Sequence, residues 1–489
     1  MDLLTLRVAA GGGSIDGLES SRLVAAGFTL LQRSAVLVRA LAGRRAALLL
    51  PTSPQFFVAL AAADGRGAVL INPLAAPAEV AFQLADANVG AVFTVGSLAG
   101  ALPPGTAHVL LDEAPSFATV IAADGASQRV DLGSHFGLAL EGDVDAPGRE
   151  EECAIVYTSA MSGTPRGAIL THRNLLANAR QTVTAAGNTR HDHLLAVLPF
   201  AHLFGLTVSA NAPLIAGARV TTMPRFNPLA ALDIMERQAI TEIVGVPAIF
   251  ASMLAALERR GGALRAEALR LCICGGAPLS LELQERWAEA TGVELRQGYG
   301  LTEASPVALF NRTDQPNRRG TLGVPFPGVR VSVRDPETDS EMADGEEGEI
   351  RIAGETVFRG YVGESAPTES ARTGDGIHAT GLRIIDGWLC TGDRGKRHSD
   401  GSFEFRGVYK DMFTRNGFNI YPRELERVIS LLPGASNVRV SAAPDALREN
   451  DVSVELTGNV TEEQVKAHCR AHLAAYKVPS RFVIHVPAA

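Results

Sequence analysis

Lysine is almost missing from this chain. Of 45 basic residues among 489, only Lys396, Lys410, Lys466 and Lys477 are lysine, all in the last fifth, and the rest are arginine. Cysteine is scarce too: Cys153, Cys272, Cys274, Cys390 and Cys469 are too few for a disulfide framework in so long a chain. Cys272-x-Cys274 lies in the apolar run RLCICGG with no second pair at zinc-site spacing, so it reads as two small strand residues. No uninterrupted apolar run approaches the ~18–20 residues of a membrane-spanning helix. The start, MDLLTLR, opens acidic with an apolar stretch too short for a secretory leader, and a cytoplasmic protein is expected. Acidic residues outnumber basic ones 53 to 45, a net charge of −8, which argues against the basic face of a nucleic-acid binder.

What is present is ordinary globular composition, 46% hydrophobic and 20% charged. The length suggests about three domains, or one large α/β body with a satellite. Short apolar runs alternate with helical patterns. Ala46–Pro51, Ala68–Asn72 and Ala91–Thr94 read as strands, with helices over Gln55–Ala63 and Glu79–Ala87 between them. The alternation resumes at Leu194–Leu198, Arg219–Met223, Thr241–Val246 and Leu269–Cys274, with a helix over Leu229–Gln238. Such alternation predicts parallel sheets with covered faces. Residues 97–150, rich in Gly, Pro and Asp, read as surface connection, and Gly11–Gly13 as a flexible turn. From Gly323 short strands and Gly/Pro turns predict a β-rich lobe. From about Asp411, helices Arg423–Leu431 and Glu462–Ala475 with strands Val438–Ala442 and Asp451–Thr457 predict a small α+β unit.

The stretch Ile155–Leu175, IVYTSAMSGTPRGAILTHRNL, runs from an apolar strand into a Thr/Ser/Gly-rich loop with one cation. Hydroxyls, free backbone N–H groups and a cation at short spacing suit a polyphosphate. The Walker pattern is absent, and alone the loop reads as a plain turn. It is not alone. Downstream stand LPFAHLFG (198–205), CGGAP (274–278), GYGLTE (298–303), GWLCTGD (387–393) and KDMFTRNGFNIYPRELE (410–426).

In this order the motifs resemble the adenylate-forming superfamily, with the likeness strongest to fatty-acyl and 4-coumarate–CoA ligases. The resemblance runs from about Ala46 to the C-terminus. It implies an α/β fold: a large N-terminal domain over residues 1–409, made of two helix-covered sheets plus a β-rich lobe at about 323–409, and a small mobile α+β domain over 410–489. It also implies site roles. Thr158, Ser159, Ser162, Gly163, Arg166 and Gly167 would belong to the phosphate loop. Gly275, Gly276, Ala277 and Pro278 would wall the adenine pocket, with Tyr299 stacked on the base. Thr302 would bind the α-phosphate, Glu303 would hold Mg²⁺, and Asp393 would accept from the ribose hydroxyls. Lys410 would be the hinge, and Gly417 would line the pantetheine tunnel. His202, which alone on an apolar stretch reads as a satisfied core histidine, would gate the acyl pocket. Leu203, Phe204, Val246, Gly298, Leu301, Pro306 and Val307 would line that pocket, and the smallness of Gly298, Gly300 and Ser305 would leave room for bulk. Leu206–Ala216 carries no acidic residue to pair a substrate amine, so a neutral hydrophobic acid is expected. Thr373-Gly374-Asp375 repeats the TGD triplet in a long loop, and Asp393, after Gly-Trp and before DGSFEF, is the better match. His468 and His472, i and i+4 on a predicted helix, read as a solvent face rather than a metal site.

Four features depart from a complete ATP-dependent ligase. Where the family's loop reads T-S-G-T-T-G-x-P-K-G, Ala160 replaces a glycine and Met161 a hydroxyl residue. Arg166 stands for the loop lysine, a charge-preserving change in a chain nearly without lysine. The family's G-R-x-K-D reads Gly407-Val408-Tyr409-Lys410-Asp411, with Arg406 nearby to compensate. Relatives continue past Tyr476-Lys477-Val478-Pro479 into a P-x-x-x-x-G-K motif, and this chain stops at Ala489 before it. Losing one preorganised donor costs about 10²–10³ in rate. The expectation is therefore a non-adenylating ligase that converts a hydrophobic acyl-adenylate and CoA to acyl-CoA and AMP. This resembles the type found in bacterial platensimycin/platencin-type diterpenoid biosynthesis. CoA and acyl-AMP would be its substrates, a separate adenylating enzyme would supply the acyl-AMP, and any need for ATP and Mg²⁺ stays open. The alternatives are an ATP-dependent ligase with a truncated tail and a non-catalytic adenylate-binding scaffold. Glu303, Asp393 and Lys410 speak against the scaffold.

Overall fold

The computed structural model describes residues 3–63, 66–133, 151–158, 164–261, 264–363, 383–409, 412–445 and 449–486. Ser159 through Gly163, the Thr373–Asp375 triplet, Lys410 and Asp411 lie outside the described residues.

The predicted apolar runs become parallel strands because almost every residue in them is buried on both faces, as in Leu271–Cys274 and Glu242–Gly245. Among the described residues they assemble into two nine-stranded mixed sheets. One carries, side by side, Val307–Phe310, Leu295–Gly300, Leu271–Cys274, Glu242–Gly245, His193–Ala196 and Arg219–Thr222. The other carries Gly360–Tyr361, Arg166–Thr171, Glu152–Thr158, Ala68–Leu70, Arg45–Leu49 and Val89–Thr94. A single hydrophobic cluster joins them, running from Leu48, Phe93 and Ala154 through Phe56, Phe57 and Phe200 to Leu194, Val244 and Ile273. Phe56 meets Phe200 edge-on with centroids 5.7 Å apart, the arrangement the ring quadrupoles favour. The helix His172–Ala186 between the sheets begins at Thr171, whose hydroxyl accepts from the Asn174 N–H, and ends at Gly187 in the left-handed region.

The second sheet extends where the composition reads as surface connection. His108–Leu110, Phe117–Ile121 and Ser127–Asp131 are strands at its edge, so within 97–133 the expectation is corrected. Alternating burial along FATVI is the period-2 signal that the flanking Gly, Pro and Asp obscured. Gly11–Gly13 is no flexible turn either. A Cβ at Gly11 would collide with the Leu214 carbonyl, and one at Gly13 would lie 2.7 Å from the Ala218 carbonyl, so the glycines allow close backbone packing.

Among the described residues, the expected β lobe is a sheet of Arg330–Arg334, Glu347–Ala353, Trp388–Arg397 and Arg383–Ile385, with Phe403–Val408 paired to Trp388–Arg397. The C-terminal segment has its own hydrophobic cluster around Leu425, Ile429, Val454 and Val465. Around it lie a hairpin (Phe413–Arg415 with Phe418–Ile420), a three-stranded sheet and helices Pro422–Ile429 and Glu462–His472. His468 and His472 on the last helix are half-buried rather than solvent-facing. The His468 ring bonds the Val428 carbonyl at 2.9 Å, and the His472 ring bonds the His468 carbonyl.

Candidate active site

The parallel strands Glu242–Gly245, Leu271–Cys274 and Leu295–Gly300 end at one edge, where an open α/β sheet places its ligands. Three segments emerge there: Val246, Gly275–Pro278 and Leu301–Glu303. Gly275 is wedged so tightly that a Cβ would stand 3.0 Å from the Gly298 carbonyl and 3.2 Å from the Phe204 ring. Gly276 follows at φ 79°, against Val246. Phe204, Gly275, Gly276 and Gly298, named from three separate motifs, thus form one wall with Val246. Ala277 and Pro278 continue it toward solvent.

A polar cluster sits on the neighbouring sheet. Thr158 and Arg166 pair directly across the hairpin that holds the predicted phosphate loop. The Thr158 hydroxyl donates to Glu303 Oε1 at 3.1 Å, and the Tyr361 hydroxyl donates to the same oxygen at 2.9 Å. The Arg166 guanidinium lies 3.7 Å over the Tyr361 ring, a stacked cation–π contact. Burial, then the Glu303 carboxylate, raises the Tyr361 phenol well above its ordinary range, so it remains a donor. Glu303 is 4% exposed and lies in a single 3₁₀ turn, Thr302–Ala304, with Thr302 at its start. One carboxylate beside neighbouring hydroxyls is the oxygen chemistry that suits Mg²⁺, which takes few protein ligands. Gly167 is a packing glycine, since a Cβ there would reach Val362 and Ile155 at about 3 Å. Sequence reasoning missed Tyr361. Its strand reaches Glu303 only by pairing with Arg166–Thr171, and nothing local announces that.

Asp393 lies on Trp388–Arg397, 7% exposed, and accepts the Tyr299 hydroxyl at 2.7 Å. Its backbone N–H donates to the Thr391 hydroxyl. Burial and the Asp393 carboxylate together raise the Tyr299 phenol well above its ordinary value. Val408 is the direct cross-strand partner of Asp393, so an apolar side chain stands where the family pattern has arginine. Arg406 does not compensate. Its guanidinium is engaged by Glu347 and Glu404 at 2.8 and 2.7 Å.

His202 opens the π-helical segment Phe204–Asn211, all of whose residues are buried. Its ring is solvent-accessible although Ala201 and Leu203 beside it are buried, as expected of a cleft wall rather than outer surface. Nδ1 accepts the Phe204 N–H, which leaves the ring proton on Nε2. Desolvation by the protein around the cleft lowers its pKa from the ordinary histidine value. Leu203 is fully buried, and Leu301 is half-buried at the sheet edge. Pro306 directly precedes the antiparallel strand Val307–Phe310, where Asn178 holds both backbone groups of Val307. The smallness of Gly300 and Ser305 serves the backbone, not substrate bulk: a Cβ at Gly300 would collide with the Pro306 carbonyl. Ser305, buried at φ 76°, donates to the Thr356 carbonyl.

The C-terminal hairpin is seated on this wall. Its turn, Asn416–Gly417, has φ of 52° and 76°, the mirror-image turn a two-residue hairpin favours. A Cβ on Gly417 would stand 2.5 Å from Val246 Cγ1, and the Gly417 carbonyl oxygen lies 3.9 Å from the Cβ position of Gly276.

Comparison with known proteins gives a family and relatives. Residues 32–362 match the family described as AMP-binding enzyme. A long-chain-fatty-acid–CoA ligase of Bacillus subtilis is 28% identical over 471 residues, covering 90% of this chain and 82% of that protein. A feruloyl-CoA synthase of Amycolatopsis is 31% identical over 481 residues, covering 96% and 90%. A solved malonyl-CoA ligase, in a ternary product complex with methylmalonyl-CoA and AMP, superposes at TM-score 0.78 with 25% identity over 98% of this chain and 97% of that one. No helix among the described residues is long and apolar enough to cross a membrane.

Proposed function

The chain belongs to the AMP-binding enzyme family and is an acid–thiol ligase, and we propose that it joins a neutral, hydrophobic acyl group, presented as its acyl-adenylate, to the thiol of CoA. The carrying observation is the seating of Gly417 on Val246 and Gly276. It brings the C-terminal hairpin to the wall between adenine and acyl subsites, where a pantetheine arm has to enter.

In this reading the adenine lies between Tyr299 and Gly275–Pro278, the ribose hydroxyls donate to Asp393, and Thr302 holds the α-phosphate. The acyl chain runs along Leu203, Phe204, Val246, Gly298, Leu301, Pro306 and Val307 behind His202. The CoA sulfur attacks the acyl carbonyl carbon: the C–S bond forms, the C–O bond to phosphate breaks, AMP leaves, and the thiol proton is released. Holding both reactants in one site supplies most of the acceleration. Glu303 would hold Mg²⁺, which when bound neutralises phosphate charge. Lys410, between the β lobe and the C-terminal unit, is the proposed swivel.

We assign the chain to this second half-reaction. Ala160 and Met161 weaken the loop that would hold the β- and γ-phosphates beside Ser159, Ser162 and Gly163, and Val408 removes a cation beside Asp393. A separate adenylating enzyme would then supply the acyl-AMP. Arg166, stacked beside Glu303, favours a second reading in which adenylation survives. Two assays separate them. Thioester formed from synthetic acyl-adenylate and CoA without ATP, with no acid-dependent ATP–pyrophosphate exchange, supports the first. Vigorous exchange supports the second, and silence in both across a broad panel of acids overturns the ligase reading.

A further inference from the structure

One of the four lysines is buried at the junction between the C-terminal unit and the large body. Lys477 is 4% exposed, and its ammonium lies 2.9 Å from Glu79 Oε1 and 2.7 Å from Glu424 Oε1. Glu424 belongs to the C-terminal helix Pro422–Ile429, and Glu79 to helix Pro77–Asp86 of the large body, 398 residues away in sequence. Helix Glu462–His472 packs on that same large-body helix. Burial draws the Lys477 ammonium down, but the two carboxylates outweigh it and hold its pKa above the ordinary lysine value.

The lysine is coupled to the hairpin by direct contacts. Arg415 donates from one nitrogen to the carbonyls on either side of Lys477, those of Tyr476 and Val478, each at 2.9 Å. The Tyr476 ring stacks on Phe418 at 4.2 Å with planes 17° apart. Arg415 and Phe418 flank the Asn416–Gly417 turn that rests on Val246. A tie at Glu79 therefore fixes, through two side-chain contacts, where Gly417 stands.

We propose that Glu79 and Lys477 are positioning residues for thioester formation: their partly buried ion pair latches the C-terminal unit so that the Gly417 turn stays against the Val246–Gly276 wall. The proposal deepens the ligase reading and rests on it for its catalytic consequence. The second carboxylate explains how the latch can open. When Glu79 is lost Lys477 keeps Glu424, so the cation is not stranded, whereas a buried lysine with a single partner would be.

Glu79→Gln is the discriminating variant. Its amide oxygen can still accept the Ala76 N–H that Glu79 Oε2 now caps at 3.0 Å, and Lys477 retains Glu424. With acyl-adenylate supplied, the variant is expected to raise KM for CoA at least tenfold, while its affinity for AMP stays within twofold of wild type. Small-angle scattering is expected to show a larger maximum dimension. Lys477→Arg, which keeps the charge, is expected to stay closer to wild type than Lys477→Met on both readouts. Wild-type KM for CoA and unchanged scattering in Glu79→Gln would overturn the latch. Changed scattering in a protein whose wild type makes no thioester leaves the latch standing and sinks the ligase reading instead.

Discussion

Tyr299 donates its hydroxyl hydrogen to Asp393 Oδ2 at 2.7 Å, tying strand Leu295–Gly300 to the β lobe. The carboxylate is thereby fixed before any ligand arrives, a preorganised acceptor beside an aromatic face. Asp393→Ala removes the acceptor for two ribose hydroxyls, and hydrogen bonds to a charged group contribute about 1.5–3 kcal/mol. AMP affinity, measured by calorimetry, should fall by roughly 10- to 100-fold. Tyr299→Phe keeps both the ring and the carboxylate and loses only the bond that positions it, so it should cost less than Asp393→Ala, under about tenfold, the lower end of one hydrogen bond to a charged group. Equal affinity in Asp393→Ala and wild type would remove Asp393 from the ribose site.

Gly417→Ala should separate binding from transfer. The added methyl would stand 2.5 Å from Val246 Cγ1, on a residue at φ 76°, where an L side chain costs about 1–2 kcal/mol. Either the turn lifts from the wall or the CoA path narrows, so thioester formation should drop at least tenfold with AMP binding unchanged. Val246→Ala in the same chain removes the contacts with the two Val246 methyls but leaves its Cβ 2.8 Å from the new methyl and the backbone cost in place, so it should restore activity only in part. Full activity in Gly417→Ala alone would mean that the turn does not line the CoA path.

Glu303, in its 3₁₀ turn, is held by hydroxyls from two strands, and each can be removed. Tyr361→Phe and Thr158→Ala should each weaken Mg²⁺-dependent ATP binding by roughly tenfold, the lower end of one hydrogen bond to a charged group at about 1.5 kcal/mol. Glu303→Gln should abolish the Mg²⁺ dependence while AMP alone binds as before. A Glu303→Gln protein that still binds ATP more tightly with Mg²⁺ than without would place the metal elsewhere.

How much of this was legible in the sequence follows contact distance along the chain. Gly275 and Gly276 could be named because CGGAP resembles a family motif, and Val246 because it is apolar at the end of a predicted strand. Tyr361, 58 residues from Glu303, and Glu79, 398 from Lys477, could not, because strand pairing and lobe docking leave no periodic trace. Gly300 and Ser305 were legible as small but not for the right reason. Composition cannot tell a gap left for substrate from one filled by a neighbouring carbonyl. Arg406 shows the same limit for charge: proximity in sequence to Val408 did not reveal that Glu347 and Glu404 already hold it.

Far from the site, at the opposite ends of the same parallel strands, Arg270 is shared by two buried carboxylates, Asp192 and Glu242. One cation cannot satisfy both. Hydrogen bonds from Arg270 and Thr189 outweigh burial and hold Asp192 below its ordinary value, whereas at Glu242 burial dominates and pushes the carboxyl up to about 7. A folded carboxyl that keeps its proton to about 7, against 4.5 when exposed, makes the folded state bind more protons between those values. Its contribution to stability is then complete below pH 4.5 and is lost as pH rises through 7, on the order of 3 kcal/mol in all. Glu242→Gln is neutral throughout and can still accept from Asn188, which now donates to Glu242 at 2.7 and 2.9 Å. Thermal unfolding of wild type should therefore drop by several degrees between pH 5 and 7.5, and the variant should flatten that slope. A slope unchanged by Glu242→Gln would mean that Arg270 keeps both carboxylates ionised over the whole range.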